Sequence, residues 1–516
     1  MKTLSLLKKI FLLAVLTLSS CTFQPDPSKQ KNNEQSATEK TEKDESMEEN
    51  SALPQDEQTS VSPSDEDISS SDDISSSDDE NEQTSVSPEP APEPVEKNWT
   101  LLVYMAADNN LEKSAVADFN EMENADFSGS DISVLVLFDR SPGYDATNGD
   151  WTDTRLFAIG HDREKSNAIV SRRLSCPELG LRADSATELD MADKATLSAF
   201  MGFASREYPA RHYGLIVWGH GTGWRTDCTD DKERQNPFRA YAIDSSAGTY
   251  MTISALREGI QDGLSLMQRE TPLDFIGFDT CFGLCMETAY ELRDCAEFLA
   301  GTPALVPASG WQYAALLSSL ATSDQSVLAL CGCALEQYKS QYASYGHASF
   351  SVVDCAHVEN AVLSFNQFAA SCAEKITDMQ ARSEWRALLQ NEVEPYHMDS
   401  YPCDYFLDVA SMASVVSAYD VSLSSCAEAF SDSLRCAVPL SWNAAADGSE
   451  CPLGVFYAVY AAEGNPQVSH PASYVFGSGS ANQSEFVRRC TGYVPTALRS
   501  ESLLDALFRK SYFAEE

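Results

Sequence analysis

Four apolar runs, each long enough for one β-strand, are the feature that most limits how this chain can fold. They cover residues 100–107, 132–138, 213–219 and 273–278. Nearly continuous apolar runs of this length are typical of strands that are covered on both faces. Segments with helical spacing separate the runs. This alternation of strands and helices, from residue 99 to about 350, predicts a doubly wound α/β domain with right-handed crossovers.

The pattern changes after about residue 351. Strand-like and helix-like segments there cover residues 349–353, 356–376, 405–418, 423–437 and 453–460, of which the middle three are helical. Helices of this length with few strands predict a smaller α+β subdomain. We therefore expect a main domain at 98–350 and a C-terminal subdomain at 351–516.

The first 20 residues have the pattern of a targeting signal. Lys2, Lys8 and Lys9 precede an apolar core at 10–18, which is too short to span a bilayer. The sequence Leu-Ser-Ser-Cys that ends at Cys21 resembles a bacterial lipobox, in which the cysteine is lipidated. An ordinary signal peptide with a coincidental cysteine is the alternative. A lipobox implies a lipid-anchored, extracytoplasmic protein of the cell envelope, with residues 1–20 as its signal peptide.

Residues 21–97 have low complexity and a strong negative charge. Between residues 22 and 97 there are 22 Asp or Glu and five Lys, and Glu-Gln-Thr-Ser-Val-Ser-Pro occurs at 57–63 and again at 82–88. A segment with so few large apolar residues cannot offset the entropy of ordering. We expect a disordered acidic tether that holds the globular part away from a membrane. A binding role for the repeats is the alternative.

The net charge limits the possible binding partners, and the cysteine spacing bears on zinc sites and disulfide bonds. The formal net charge is −42, and the predicted globular part is acidic as well as the tether. Binding to nucleic acid requires a basic surface, so we expect no nucleic acid partner. The acidic surface would attract cationic peptides. The 15 cysteines show no repeated zinc-ligand spacing, and the spacing leaves open whether they form disulfide bonds.

Two of the apolar runs end on side chains that can carry chemistry. The run 213–219 ends at His220, and the run 273–278 ends at Asp279, with Cys281 two residues further on. His220 and Cys281 are 61 residues apart, which is enough for one helical crossover, so neighbouring strands could deliver both to one sheet edge. A histidine can take the proton of a thiol and leave a nucleophilic thiolate. The alternative is that both are ordinary strand-end residues.

Backbone amides at the same strand ends could complete a site for acyl transfer. Gly221 leaves its N–H accessible beside the imidazole of His220, and the N–H of Cys281 is a second donor. Two such donors can hold the negative oxygen that develops on an attacked carbonyl group.

Five segments of the chain resemble, in the right order, the clostripain-like cysteine peptidases. They are Trp99-Thr-Leu-Leu-Val-Tyr-Met-Ala-Ala-Asp-Asn-Asn-Leu111, Glu188-Leu-Asp-Met191, Trp218-Gly-His-Gly-Thr-Gly-Trp224, Gly277-Phe-Asp-Thr-Cys281 and Gly310-Trp-Gln-Tyr313. The resemblance covers about 99–350. It implies a caspase-like fold of clan CD, in which helices cover both faces of a mostly parallel sheet, and hydrolysis of peptide bonds by a Cys/His dyad.

The resemblance also implies roles for single residues. By position, Cys281 is the nucleophile, His220 is its dyad partner and Gly221 donates to the oxyanion. Asp279 matches an acid in the pocket for the P1 residue, which precedes the scissile bond, and a buried carboxylate there would pair with Arg or Lys. A helix cap is the alternative for Asp279. The family commonly has Leu-Met after the cysteine, whereas Phe-Gly at 282–283 follows here and could reshape the pocket wall.

Members of the family tend to cut themselves between the two strands. The polar loop 225–239 carries four basic residues, and we expect cleavage after Arg234, near its middle. An uncut, solvated loop is the alternative.

Asp227, Asp230 and Asp231 could bind Ca²⁺, which some family members need. Their spacing is not that of an EF-hand, and a solvated acidic face is the alternative. We expect no other cofactor and assign no residue as a metal ligand.

Three functions fit these features. The first is a membrane-anchored cysteine endopeptidase that acts on proteins or peptides with Arg or Lys at P1. The second is a non-catalytic binding or adhesion lipoprotein on a caspase-like scaffold, and the third is a different hydrolase or transferase with a Cys/His dyad. The presence of both His220 and Cys281 favours an enzyme over the second function.

Overall fold

The computed structural model describes residues 95–221, 223, 241–346, 348–397, 404–445 and 450–458. Several predicted features lie outside these residues: the signal peptide 1–20, Cys21, the tether 21–97 up to residue 94, Arg234, and the three acids Asp227, Asp230 and Asp231.

The elements of the described chain follow one another in strand–helix alternation over the first part. Strands β1 to β14 are Lys97–Ala107, Ile132–Arg140, Thr154–Ala158, Arg172–Leu174, Ala210–Trp218, Tyr241–Asp244, Thr249–Met251, Leu273–Asp279, Ala296–Gly301, Ser349–Asp354, Pro395–His397, Asp404–Asp408, Leu440–Asn443 and Gly454–Ala458. Helices α1 to α10 are Glu112–Asn124, Lys194–Glu207, Ile253–Leu266, Met286–Leu292, Tyr313–Thr322, Val327–Tyr342, Cys355–Glu374, Met379–Glu392, Val409–Tyr419 and Ser424–Ala437.

Nine of the described strands form one sheet, in the order β13-β10-β9-β8-β5-β1-β2-β3-β4. The five central strands, β9, β8, β5, β1 and β2, run parallel. The strands outside them pair antiparallel with their neighbours. Residues 99–107 of β1 and all of β2 are buried, which is the reason for their nearly continuous apolar sequences.

Helices α1 to α7 form two groups. Helices α1, α5 and α6 contact one another in succession, and so do α2, α3, α4 and α7. Both α6 and α7 contact β9 and β10, one from each group, so the sheet lies between the groups. A mostly parallel sheet with helices on both faces confirms the predicted α/β fold class.

Side chains at the helix starts explain where several helices begin. The Asp193 carboxylate accepts a hydrogen bond from the Ala195 N–H at the start of α2. The Thr252 hydroxyl accepts from the Ala255 N–H at the start of α3. Each cap satisfies an amide that has no partner within its own helix.

The C-terminal part extends the main sheet and adds a small sheet of its own. Strands β10 and β13 continue the main sheet beside β9, whereas β11, β12 and β14 form an antiparallel sheet. The helix predicted over 405–418 is wrong at its start, because Asp404–Asp408 is strand β12. The Asp408 carboxylate accepts from the Ser411 N–H at 2.7 Å and so caps α9, which begins at Val409.

The described part of the chain has neither a membrane-spanning helix nor a disulfide bond. It contains no helix that combines the length and the apolar character needed to cross a bilayer. No disulfide bond joins any two of its cysteines. The proposed boundary between 98–350 and 351–516 stays a prediction.

Candidate active site

The parallel strands β5 and β8 lie side by side and end at the same edge of the sheet. Their register places Trp218 opposite Asp279, and the Gly219 N–H donates to the Asp279 carbonyl oxygen at 3.3 Å. His220 and Cys281 each follow two residues after this pair. The structure therefore brings the two side chains to adjoining strand ends, as their spacing predicts.

Two glycines allow the turn after β5 to pass close to its neighbours. Gly219 has a φ of +142°, and a Cβ on it would lie 2.9 Å from the Ala106 carbonyl oxygen. A Cβ on Gly221 would overlap the Cys281 carbonyl oxygen and lie 2.7 Å from the Thr280 Cβ. Because only glycine fits at 221, the backbone that follows His220 packs directly against the backbone of Cys281.

The imidazole of His220 has a partner from a third strand end. His220 is partly exposed, and its Nε2 lies 2.7 Å from Oδ1 of Asn110, in the turn between β1 and α1. An amide oxygen accepts, so this contact puts the proton on Nε2 and leaves Nδ1 to take a proton from elsewhere. Sequence reasoning missed Asn110. The signal was its place just after an apolar run, the same kind of position that identified His220.

The thiol of Cys281 lies against the backbone of the loop after β9. Cys281 is 3% exposed. The Val306 N–H donates to Sγ at 3.3 Å, and Sγ lies 3.7 Å from the Val306 carbonyl oxygen. The N–H can stabilise negative charge on sulfur, whereas the carbonyl oxygen accepts from the protonated thiol, so this loop can hold the sulfur in either state.

The packing around residues 282 and 283 accounts for the Phe-Gly sequence that follows Cys281. Phe282 has a φ of +53°, and its ring stacks on that of Phe406 at 5.6 Å between centroids. A Cβ on Gly283 would lie 2.5 Å from the Cβ of Phe278, so the chain is too tightly packed there for a side chain. The departure from the family pattern therefore places a contact with the C-terminal part directly behind the thiol.

Asp279 is buried at the end of β8 and points toward the start of α5. Its Oδ2 accepts from the Trp311 N–H and from the Tyr313 hydroxyl, each at 3.0 Å. The alternative of a helix cap is not supported, because α4 follows Cys285 and has no side-chain cap.

A second buried acid, Asp118 of α1, faces Asp279 across Gly310. A Cβ on Gly310 would lie 2.8 Å from an oxygen of each carboxylate. The Trp218 Nε1–H donates to Asp118 Oδ2 at 2.8 Å. Burial and, next, the charge of Asp279 raise the pKa of Asp118 well above its usual range. A cation bound between the two acids would relieve their repulsion.

Sequence reasoning also missed Asp118, although a signal for it existed. Ala115, Phe119 and Met122 form the apolar stripe of α1 and are buried. Asp118 lies between them in helical spacing, so it sits on the face that packs against the sheet. An acid on a buried face needs a partner or a function.

Comparison with known proteins relates the chain to one family. The Peptidase C11 model of the clostripain family matches residues 103–483. Clostripain from Hathewaya histolytica is 31% identical over 227 residues, which are 42% of this chain and 40% of that protein. The match thus spans about two-fifths of the length of that curated relative.

Two solved structures are also similar to this chain. A secreted C11 cysteine protease from Bacteroides thetaiotaomicron, in complex with an irreversible peptide inhibitor, has 19% identity and a TM-score of 0.48, with 73% of this chain and 96% of that one covered. An inactive zymogen C11 protease from Parabacteroides distasonis has 22% identity and a TM-score of 0.47, with 71% and 90% covered. Since the family model covers well over half of the sequence, the chain belongs to the clostripain family.

Proposed function

We propose that this chain is a cysteine endopeptidase that cleaves after Arg or Lys, with Cys281 as nucleophile and His220 as its proton acceptor. The register of β5 and β8 carries the proposal, because it brings these two side chains to adjoining strand ends. Membership of the clostripain family supports the same assignment.

The reaction begins when the imidazole of His220 takes the proton of the Cys281 thiol. The thiolate attacks the scissile carbonyl carbon, and the C–N bond breaks as the leaving amine receives the proton from the imidazole. The resulting thioester on Cys281 is hydrolysed by a water molecule that His220 deprotonates. The N–H groups of Gly221 and Cys281 stabilise the oxyanion in both steps. The Val306 N–H, 3.3 Å from Sγ, stabilises the attacking thiolate.

Asn110 is a positioning residue in this mechanism, and we expect Asn110→Ala to lower kcat by roughly tenfold to a hundredfold with little change in KM. Without the Asn110 oxygen, the imidazole loses the contact that selects its tautomer and orientation. Steady-state kinetics on one peptide would measure the change. Asn110→Asp keeps an acceptor and should recover most of the activity.

The matched control for this prediction is Asn98→Ala. Asn98 lies near the opposite end of β1, where its Nδ2 donates to the Gln325 carbonyl oxygen at 3.0 Å. That variant should keep the wild-type kcat. A kcat for Asn110→Ala equal to that of the wild type would show that the contact does not position the imidazole.

The preference for a basic P1 residue rests on Asp279 and Asp118. Both are buried, and their carboxylates face each other across Gly310 at the strand end next to Cys281. A guanidinium or ammonium group placed there exchanges a repulsive arrangement of two acids for an attractive one. A neutral side chain would leave the repulsion in place, and the pocket would reject it.

A series of fluorogenic peptides that differ only at P1 tests the proposal. Citrulline has the shape of arginine without its charge, so it is the matched control. We expect kcat/KM for P1 Arg to exceed that for P1 citrulline by at least about a hundredfold, since an unpaired buried charge typically costs several kcal/mol. Binding without turnover would point to the non-catalytic lipoprotein. Turnover with no P1 preference would point to a different Cys/His hydrolase or transferase.

Self-processing after Arg234, in the loop 225–239, is part of the proposal. Two described residues that flank the loop support it. A Cβ on Gly223 would lie 3.2 Å from the Phe282 carbonyl oxygen, and the Tyr241 hydroxyl lies 3.4 Å from the Gly283 carbonyl oxygen. A described residue on each side of the loop therefore contacts the segment that follows Cys281. Attachment at the site raises the effective concentration of the loop as a substrate.

We also propose that the protein is extracytoplasmic and anchored through a lipid on Cys21. The lipobox-like sequence and the acidic low-complexity segment behind it support this location. The substrates would be proteins or peptides with P1 Arg or Lys that come within reach of the tether.

A further inference from the structure

Three buried acids that take no part in the proposed reaction converge from three elements of the sheet region. Asp108 follows β1, Asp139 lies in β2 and Asp244 ends β6. They are 1%, 0% and 0% exposed. One carboxylate oxygen from each lies within 4.8 Å of the other two. We call these three residues the carboxylate cluster.

Hydrogen bonds hold the carboxylates of Asp139 and Asp108 through one oxygen each. Thr154 Oγ1 donates to Asp139 Oδ1 at 2.8 Å, and the Ser246 N–H donates to Asp108 Oδ2 at 2.5 Å. The remaining oxygens, Asp108 Oδ1 and Asp139 Oδ2, are buried and have no hydrogen-bond partner in the described chain. Since buried polar atoms nearly always have partners, these two oxygens indicate a missing one.

Both oxygens of the third carboxylate, that of Asp244, accept backbone hydrogen bonds. Asp244 accepts from the Ala247 and Met191 N–H groups at 2.8 and 3.1 Å.

Within the described residues, no Lys or Arg forms an ion pair with any member of the carboxylate cluster. The adjacent Arg140 pairs with Glu112 at 2.7 Å instead. Buried carboxylates of one sign need a proton or a cation to offset them. A hard divalent cation suits a set of donors that consists only of carboxylate oxygens.

We propose that the carboxylate cluster binds one divalent cation of the hard, oxygen-preferring class, such as Ca²⁺ or Mg²⁺. The cation would take the two partnerless oxygens of Asp108 and Asp139 and one oxygen of Asp244 as ligands. None of the acids at 227–231 is among these ligands.

The cation would join the turn after β1, the end of β2 and the hairpin of β6 and β7. Asp108 precedes Asn110 by two residues, and the Ser245 N–H donates to the Asp108 carbonyl oxygen at 2.9 Å. Binding would therefore stiffen the turn that holds the Asn110 contact with His220. This consequence for activity rests on the proposed function, whereas the binding itself does not.

Isothermal titration calorimetry on the full chain tests the site. The chain carries Cys281→Ala to prevent self-cleavage, is stripped with chelator, and is titrated with CaCl₂ or MgCl₂ alone. We expect one site per chain for at least one ion. Asp139→Asn keeps the shape of the side chain and should weaken that site by more than about tenfold. Asp131→Asn, the same change at an exposed residue, should leave it intact.

Thermal unfolding of the same chains provides a second measurement. The ion that binds should raise the Tm of the Cys281→Ala chain and of its Asp131→Asn form, but not that of the Asp139→Asn form. If Asp139→Asn does not fold, Asp108→Asn takes its place. The proposal is overturned if neither ion binds below about 1 mM, or if the site survives both substitutions. Because all of these chains are inactive, this result is independent of the proposed peptidase activity.

Discussion

Cys281→Ala is expected to lower kcat/KM for a peptide with P1 Arg by at least about 10⁴-fold. The methyl group of alanine cannot attack a carbonyl carbon. Cys285, the next cysteine along the chain, is fully buried, and burial raises its pKa well above the usual value. The same variant should remain a single polypeptide, whereas the wild type should be cut in the loop 225–239.

Fluorogenic turnover and intact-mass spectrometry would measure both effects in one preparation. Cys295→Ala is the matched control, because Cys295 lies at the opposite edge of the sheet, next to the start of β9, and burial raises the pKa of its thiol to about 12. That variant should keep activity and cleavage. Turnover that survives Cys281→Ala would refute the assignment of the nucleophile. An active wild type with one uncut chain would refute self-processing.

Asp279→Asn is expected to lower kcat/KM for P1 Arg by about a hundredfold to a thousandfold, with little loss on P1 citrulline. Asparagine keeps an oxygen to accept from the Trp311 N–H and the Tyr313 hydroxyl, so the pocket should keep its shape. The loss comes from the missing charge, which leaves the substrate cation with Asp118 as its nearest acid. The ratio of kcat/KM values for the two peptides measures the effect.

Two controls separate lost selectivity from damage to the fold. The rate of alkylation of Cys281 by iodoacetamide should be unchanged in Asp279→Asn, since the thiol and His220 are untouched. Asp274→Asn alters a buried acid at the other end of β8, where Asp274 pairs with Arg269 at 2.8 Å. It should lower stability without changing P1 preference. An Asp279→Asn enzyme with wild-type preference would show that the pocket is elsewhere.

Most of the α/β architecture can be predicted from the sequence, because a strand buried on both faces must be apolar almost throughout. β1 and β2 satisfy this condition and are buried along nearly their whole length. The wrong helix start at 405–408 has a physical reason. Phe406 and Leu407 form a short apolar segment that fits a strand or a helix equally well. Pairing of β12 with the nearby β11 and with β14, which is distant in sequence, decides between them.

Only part of the candidate site could be predicted from the sequence. His220 and Cys281 directly follow apolar runs, so local sequence marks them. Asn110 follows such a run as well, but its contact with His220 depends on β1 lying next to β5, and no local pattern states the order of strands. Asp118 reaches Asp279 from a helix on one face of the sheet, so that contact depends on how α1 packs.

The sequence by itself determined which segments become strands and which reactive side chains lie at their ends. A strand that is buried on both faces needs an apolar run of its own length, and such a run is visible in the local sequence. Only the tertiary structure decided which of those side chains meet. The carboxylate cluster joins residues 31 and 105 positions apart, and Asp118 and Asp279 face each other from a helix and a strand. Strand order, register and burial set these distances, and the interaction between charges depends on distance through space and not on separation along the chain.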